Sequence, residues 1–545
     1  MGRKILLISV LILGLGLRLI RLDNRPAGFT WDEAALGYNA YSLLFTGKDE
    51  HAALMPLVFK SFGDYKPGLY IYFSVPAVAI FGLNEFATRL PSAIFGTLLV
   101  LVVYLISKEL ESLLKIENCK LKIAPAAALL MAVNPWAIHF SRGAWEANLA
   151  LFLTTLGVTF FIRGIKNNSH FPYLISAFFL GLTLWSYQGA KLFTPLLLLS
   201  LIVVYRPVIS IKKMLLPLGL FLVLLFPILA GFGNQSGRLK VFSVFSYTRT
   251  REYVSQILTQ DQTTRPGWAY YLYHTELLDQ LRGIAQRYLN HLSPRFLFVD
   301  GDWSSLRHST PYQGYLFYPQ LLILLMGLYL LIKNFSHPLS KFVIIWLFLA
   351  PVPAALSRDI VSGVRSLPLI IPLTIISGIG LAKISRYSTL LLCFSVTLLL
   401  FFIYFLDLYF IHSPQFTARD WLYPYRPAFS LIRPYLSSYR RIYFTDQLGQ
   451  PYIFYLFYNQ VSPAYYQSQN AFIPNPSGDV GRVDRVDNLV FAPVYWPSLR
   501  YESSALFIGG QYELPESDLN QPGLERIAEI TYPNGDPALR IVGIP

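Results

Sequence analysis

The sequence predicts an all-α polytopic membrane bundle of about eleven transmembrane helices, followed by a small extracytoplasmic α/β domain. Three observations predict it. Membrane-length apolar runs recur through the first 411 positions of a chain that is 54% hydrophobic and 14% charged, where a soluble protein carries about 25% charged residues. Basic residues gather in alternate short loops between those runs. Beyond position 411 the chain turns polar, rich in Tyr, Pro and Asn, with short β-like runs.

The predicted crossings are 4–21, 86–107, 123–140, 147–164, 172–187, 191–205, 214–231, 315–333, 342–356, 366–384 and 388–411. The first, "KILLISVLILGLGLRLIRL", has a basic start like a signal peptide but no A-x-A cleavage site, and it reads as a retained helix. One set of loops holds Arg3 and Lys4; Lys108, Lys115, Lys120 and Lys122; Arg163 and Lys166; Arg206, Lys212 and Lys213; Lys333 and Lys341; and Lys383 and Arg386. The opposite short loops hold only Arg142, Lys191, Arg358 and Arg365. The positive-inside rule puts the richer set, and the N-terminus, in the cytoplasm. The outer face then receives loops at about 22–85 and 232–314 and the whole tail. "GLYIYFSVPAVAIFGL" (68–83) is apolar but short and carries a mid-segment proline. Counting it as a crossing would turn the lysine-rich 108–122 loop outward, so it reads as a re-entrant or interfacial helix on the outer face.

The membrane domain is therefore read as 1–411, and 412–545 as the extracytoplasmic domain, with strands expected in "RRIYFTD", "NLVFAPVYW", "ALFIGG" and "ALRIVGI". The net charge of +14 does not imply a nucleic-acid partner, because the basic residues sit in insertion-directing loops and not on one patch. Cys119 and Cys393 suggest neither a disulfide framework nor a metal site.

Ionisable side chains then converge on the outer face: Asp32, Glu33, Asp64, Lys66, Glu85 and Arg89 from the first loop, and His139, Arg142 and Glu146 between the third and fourth helices. "SYQGAK" adds Tyr187, Gln188 and Lys191; the long loop adds His291, Asp300, Asp302, Arg307 and His308; "LSRDIVSGVRSLP" adds Arg358, Asp359 and Arg365. Charges beside a bilayer are costly unless paired or wet, so such a gathering marks a functional site by default. Each has a plainer reading as well. Thr30-Trp31-Asp32-Glu33 fits a capping box, Glu85 with Arg89 and Arg142 with Glu146 fit i,i+4 pairs, and Asp300-Gly301-Asp302 fits a turn. Lys66 fits a snorkelling interface lysine, and Arg307-His308 a solvated loop.

The chain has no Gly-rich phosphate loop, no H-E-x-x-H and no nucleophile elbow. A lipid-linked sugar donor suits an outer-face site, because it enters from the bilayer with its leaving group attached. One carboxylate takes the acceptor's proton and two or three cations hold the departing phosphate. No general acid is needed, since phosphate leaves readily.

Asp32-Glu33 just after the first helix, Lys66-Pro67 before an apolar segment, and "FATRLPSAIFG" entering the next helix together resemble the GT-C glycosyltransferases of the protein O-mannosyltransferase and lipid A aminoarabinose transferase type. The resemblance covers roughly 1–411 and is most specific in 25–110. It implies a GT-C bundle, a polyprenyl-phosphate-sugar donor, an inverting single displacement and an extracytoplasmic active site. It maps the base onto Asp32, a second acid onto Glu146, and a phosphate or donor contact onto Lys66. Asp32, Glu33 and Glu146 are the expected catalytic residues, with Glu33 a structural or supporting partner of Asp32, from which it is turned about 100° around the helix. Lys66, Arg142, Arg307, His308, Arg358 and Arg365 are the expected donor-phosphate contacts. No cofactor and no obligatory metal are expected. The sugar, for which the family suggests mannose, stays open, as does the acceptor: protein, lipid or polysaccharide. The tail lacks the trefoil domain of eukaryotic protein mannosyltransferases. A transporter or lipid flippase is the rival reading. It would place charges at mid-membrane and often shows inverted repeats, and the sequence shows neither.

Overall fold

The computed structural model describes residues 2–62, 64–111, 120–208, 211–230, 243–246, 250–469, 471–474 and 481–545. Part of the expected long outer loop, Lys115 and Cys119 lie outside these residues.

Among the described residues of the first 230 positions stand the helices α1 (Gly2–Leu19), α2 (Trp31–Thr46), α3 (Leu69–Phe81), α4 (Glu85–Glu111), α5 (Ile123–Val133), α6 (Pro135–Arg142), α7 (Glu146–Asn167), α8 (His170–Thr183), α9 (Ala190–Tyr205) and α10 (Ile211–Ala230). Between α2 and α3 stands an antiparallel hairpin, β1 (Val58–Ser61) with β2 (Asp64–Pro67), in the register Phe59↔Lys66. Later come the apolar helices Gln320–Lys333, Pro338–Leu349, Ile370–Ile384 and Ser388–Asp407. Each expected crossing thus contains a helix. Among the described residues six helices are long and apolar enough to span a membrane, or seven if a bent pair counts as one. Leu69–Phe81, His170–Thr183, Ala190–Tyr205 and Gln320–Lys333 are apolar but shorter.

Local chemistry sets the breaks that matter. Thr30 caps α2, and the capping box with Glu33 is formed, while Gly47 closes the helix at φ 67. The bent pair is α5 and α6, 54° apart at Asn134-Pro135. Pro135 has no N–H to continue the ladder and holds Asn134 extended, and the Asn134 side chain then accepts from Ala137 N and caps α6. Glycine permits one close crossing. A Cβ on Gly327 or Gly380 would stand 1.8 Å from the carbonyl oxygen of Ile376 or Ile323, so Gln320–Lys333 and Ile370–Ile384 meet backbone to backbone.

The C-terminal region carries a six-stranded mixed sheet made from β3 (Arg441–Phe444), β6 (Arg485–Val486), β7 (Leu489–Phe491), β8 (Ala505–Gly509), β9 (Glu525–Thr531) and β10 (Pro537–Ile544). Its order is β6-β7-β3-β8-β10-β9, with β3 parallel to β7 and β8. A short pair, β4 (Phe472–Ile473) and β5 (Arg482–Val483), lies apart. All four β-like runs of the tail form strands; β9, "ERIAEIT", lies at the sheet edge and carries charges that disguised it.

Position 411 is not a packing boundary. The helix Ser388–Asp407 runs on through a π-turn, Leu408–His412, into Ser413–Thr417. One apolar core joins Phe29, Tyr38 and Tyr70 of the N-terminal third to Tyr425, Tyr452, Phe454 and Phe457 of the tail. α2 itself packs on α3, α4 and the tail helices Pro451–Tyr458 and Pro463–Gln469.

Candidate active site

The capping box fixes the directions of the acidic pair. Both Glu33 oxygens turn inward: Oε2 accepts from Thr30 N at 3.1 Å, and Oε1 from Ala144 N at 2.9 Å, just before α7. Arg89 on α4 meets the carboxylate fork to fork, Nε to Oε1 at 2.8 Å and Nη2 to Oε2 at 3.1 Å. The same guanidinium donates to Leu22 O, Pro26 O and Gly28 O, which occupies all five of its N–H groups. Arg89 is 0% exposed. Glu33 is therefore a structural anchor between α2, α4 and the α6–α7 break, with no oxygen left to act as a base. These contacts favour the structural side of its expected role. They also correct the expected Glu85–Arg89 pair, since a buried guanidinium needs more acceptors than one helix-surface neighbour supplies. Glu85 meets Arg426 at 3.5 Å instead.

Asp32 turns the other way. Its side chain is 39% exposed and forms an ion pair with Lys66 Nζ, whose side chain is 7% exposed. Lys66 is held on β2, and its ammonium stands 5.2 Å from the centroid of the Phe62 ring. The hairpin is docked onto "SYQGAK" by Gln188 Nε2 donating to Tyr65 O at 2.7 Å, while Leu69 N donates to Trp185 O at 3.0 Å. The expected base and the expected phosphate cation thus share one open position.

Glu146 begins α7, half-buried, one residue after Trp145. Ser186 Oγ donates to its carbonyl at 3.1 Å. Beside it, Arg307 lies 5.9 Å over the Trp145 ring and His308 sits 5.5 Å edge-on to the same ring. His139 donates through Nε2 to Arg307 O at 2.9 Å and so fixes that segment. His308 donates through Nδ1 to Asp302 Oδ2 at 2.9 Å, leaving Nε2 as the acceptor side of the ring. Asp302 also accepts from Gly363 N at 2.8 Å and from Ser304 Oγ at 2.6 Å. Burial alone would raise the Asp302 carboxyl, but the His308, Ser304 and Gly363 hydrogen bonds hold it below the usual carboxylate range. Burial lowers His308, which Asp302 only partly offsets. Asp300 pairs with Arg295 at 2.6 Å, and the turn reading holds for the buried Asp302, whose Oδ1 accepts from Ser304 N at 3.1 Å, alongside its contact with His308.

Asp302 gives a stability prediction with a definite sign. A depressed carboxylate contributes stability above its unfolded pKa and loses it as pH falls through the folded one. Asp302→Asn is therefore expected to be destabilised at pH 7 and to approach wild type at an acid pH below the ordinary carboxylate range. Thermal unfolding at both pH values checks this; an equal gap at both would refute it.

Arg142, expected as a phosphate contact, turns to backbone carbonyls. It is 0% exposed and donates to Leu17 O at 2.7 Å, Ile20 O at 2.6 Å, Arg21 O at 3.3 Å and Arg25 O at 3.2 Å. Leu17 and Ile20 supply carbonyls at the end of α1, where a cation suits the helix C-terminus, and Arg21 and Arg25 supply carbonyls of the loop that follows. Arg142→Ala is expected to cost about 3 kcal/mol of stability or more, as charged hydrogen bonds to buried carbonyls are lost. Per folded molecule it should leave undecaprenyl phosphate binding within about twofold, and unfolding and binding measured on one preparation separate the two effects. Arg365 pairs with Asp359 and reaches Ser362 Oγ at 3.4 Å. Arg358 is exposed, and among the described residues no hydrogen bond or ion pair ties it to the others. His291 is fixed as a neutral ring, donating to Arg287 O at 2.6 Å and accepting from Ser362 N at 2.9 Å. Among the described residues no group of three or more His, Cys, Asp or Glu converges as metal ligands would.

The structure thus brings Asp32 and Lys66 together, and sets Arg307 and His308 on the ring of Trp145, the residue before Glu146. Trp145 and Glu50 escaped the sequence reading. A tryptophan carries no charge to flag it, and Glu50 looks like a loop acid after Gly47.

Residues 66–230 match the model of the family described as dolichyl-phosphate-mannose-protein mannosyltransferase. No curated protein matches the chain in sequence. Among solved structures, the crystal structure of ArnT from Cupriavidus metallidurans bound to undecaprenyl phosphate aligns at TM-score 0.53 and 12% identity, covering 99% of this chain and 98% of that one. The same protein in the apo state aligns at TM-score 0.54 and 12% identity, covering 100% of this chain and 98% of that one. At that identity the likeness is one of fold, and it extends over almost the whole chain, tail included. The resemblance first visible in Asp32-Glu33, Lys66-Pro67 and "FATRLPSAIFG" therefore stands at the level of fold: the chain is similar in fold to the GT-C glycosyltransferase ArnT, and its residues 66–230 match a mannosyltransferase family model.

Proposed function

We propose that the chain is a membrane glycosyltransferase that moves a sugar from a polyprenyl-phosphate donor to an acceptor hydroxyl on the extracytoplasmic face. The observation that carries this is the half-exposed Asp32 paired with the buried Lys66. A carboxylate and an ammonium in contact neutralise each other until a substrate separates them. A donor phosphate competes with Asp32 for the Lys66 ammonium and frees the carboxylate at the moment the acceptor arrives. Asp32 then takes the acceptor's O–H proton as that oxygen attacks the anomeric carbon. The anomeric C–O bond to phosphate breaks, its electron pair passes to the phosphate oxygen, and Lys66 and Arg307 stabilise the charge that grows there. Attack opposite to departure inverts the anomeric centre. His308 and Arg307 flank the ring of Trp145, which precedes Glu146, and this group is the one assigned to orient the sugar or the acceptor.

Support for the donor class comes from the fold shared with a protein crystallised with undecaprenyl phosphate and from the family segment over 66–230. The same reading makes 1–411 the membrane unit with its N-terminus in the cytoplasm and 412–545 an extracytoplasmic unit. It takes all eleven apolar segments as crossings, including those of fewer than 18 residues. Mannose leads the list of sugars because the family segment points there.

The test uses purified protein in lipid, radiolabelled polyprenyl-phosphate mannose and a membrane extract as acceptor, then a panel of other polyprenyl-phosphate sugars. Transfer with any donor supports the reading. Failure with the whole panel, together with no binding of undecaprenyl phosphate, would overturn it.

A further inference from the structure

Behind the Asp32–Lys66 pair lies a second carboxyl with no part in the mechanism above. The chain leaves α2 at Gly47 and buries Glu50, 2% exposed. Asn39 Nδ2 on α2 donates to Glu50 Oε1 at 3.0 Å, and Asn39 Oδ1 accepts from the Glu50 amide at 2.9 Å. From the tail, the Tyr452 hydroxyl donates to Oε2 at 3.4 Å. The Tyr452 ring stands edge-on to Phe62 at 6.1 Å, and Phe62 is the ring under the Lys66 ammonium. Glu50 and Lys66 are therefore backed by one aromatic wall, to which the tail contributes Tyr452 and, through Gly481 N donating to Phe62 O at 2.6 Å, a clamp on the hairpin turn. The ionisable groups around Glu50 are Asp49 and His51 beside it, Tyr38 from α2, Lys66 from the hairpin, and Tyr452 and Tyr466 from the tail, with Lys60 facing Asp49 and His51.

We propose that Glu50 is a positioning residue for the Asp32–Lys66 pair: ionised, it draws the Lys66 ammonium away from the donor phosphate; protonated, it releases it. The inference rests on the proposed transferase reading. Burial raises the Glu50 carboxyl, partly offset by the Asn39 and Tyr452 hydrogen bonds and by Lys66, to about 7, so both states are populated near neutral pH. Below that pH Lys66 faces one carboxylate, Asp32. Above it Glu50 adds a second negative charge behind the Phe62–Tyr452 wall, and that charge opposes an incoming phosphate at Lys66.

The probe is undecaprenyl phosphate, titrated into the full chain in nanodiscs between pH 5.5 and 8.5. The proteins are wild type, Glu50→Gln and Tyr452→Phe. The probe's own ionisation is common to all three, so the ratio of wild-type to Glu50→Gln Kd isolates Glu50. That ratio is expected near one at the acid end and about fivefold or more at the alkaline end. Losing the Tyr452 hydrogen bond favours the protonated acid, so Tyr452→Phe should move the pH at which binding weakens upward. A ratio that stays flat across the range overturns the proposal. Should Glu50→Gln not fold, an unmoved midpoint in Tyr452→Phe overturns it equally. Wild type that binds no undecaprenyl phosphate at any pH removes the transferase reading itself, an outcome distinct from a flat ratio.

Discussion

Asp32→Asn is expected to lower sugar transfer by about 10²–10⁴-fold, the range of a positioned general base, while lowering the thermal midpoint less than the loss of the fully buried Arg89 does. The two parts of that expectation come from one fact. Asp32 sits in the first turn of α2 with its side chain 39% exposed, so an amide of the same shape buries nothing new. An amide has no lone pair basic enough to take the acceptor's proton, and it cannot neutralise Lys66. Freed from its partner, Lys66 should hold a phosphate at least as well as before, so binding of undecaprenyl phosphate is expected to be undiminished while turnover collapses. That split between binding and chemistry is the diagnostic. Transfer that survives in Asp32→Asn would move the base to Glu146, since Glu33 has no free oxygen. Lys66→Gln should show the converse, weakened phosphate binding with Asp32 in place.

The helical part of the fold was legible because its signals are one-dimensional. Apolar length and the side on which lysines fall can be counted along a chain, and each predicted crossing contains a helix. The capping box was legible for the same reason, since Thr30 and Glu33 are three residues apart. What stayed hidden was every partnership made in three dimensions. Arg89 takes Glu33, 56 residues away, and not Glu85 on its own helix. Arg142 spends its donors on α1, more than a hundred residues upstream, and not on a substrate. Both look like site cations in sequence because a charge beside a membrane signals cost. The cost is met either by a ligand or by buried carbonyls, and only coordinates distinguish the two. Lys66 was the opposite case: the snorkelling alternative fails because its head is buried against Asp32.

The largest stability effect should come from Arg89→Met. The Glu33–Arg89 pair is fully desolvated, and the loop from Leu22 to Gly28 is folded around it by three carbonyl contacts. Gly28 enters at φ +111, where an added Cβ would stand 2.3 Å from Trp421 O, so the loop has little freedom to find another path. Removing the arginine leaves the Glu33 charge buried with only amide donors, and single removal from a buried pair typically costs about 3–5 kcal/mol. Glu33→Gln should cost less than Arg89→Met, because the single amide oxygen still accepts from one of the two amides, Thr30 N or Ala144 N, no charge is left buried without a partner on the glutamine, and the guanidinium keeps its three carbonyls. The double variant should be more stable than the sum of the two losses predicts, since neither charge is then left alone. Unfolding in detergent across this cycle measures the coupling. A coupling near zero, or an Arg89→Met loss below about 1 kcal/mol, would mean that water reaches the pair. In that event Glu33 would regain its claim on the chemistry, because a hydrated carboxylate beside Asp32 is again a candidate base.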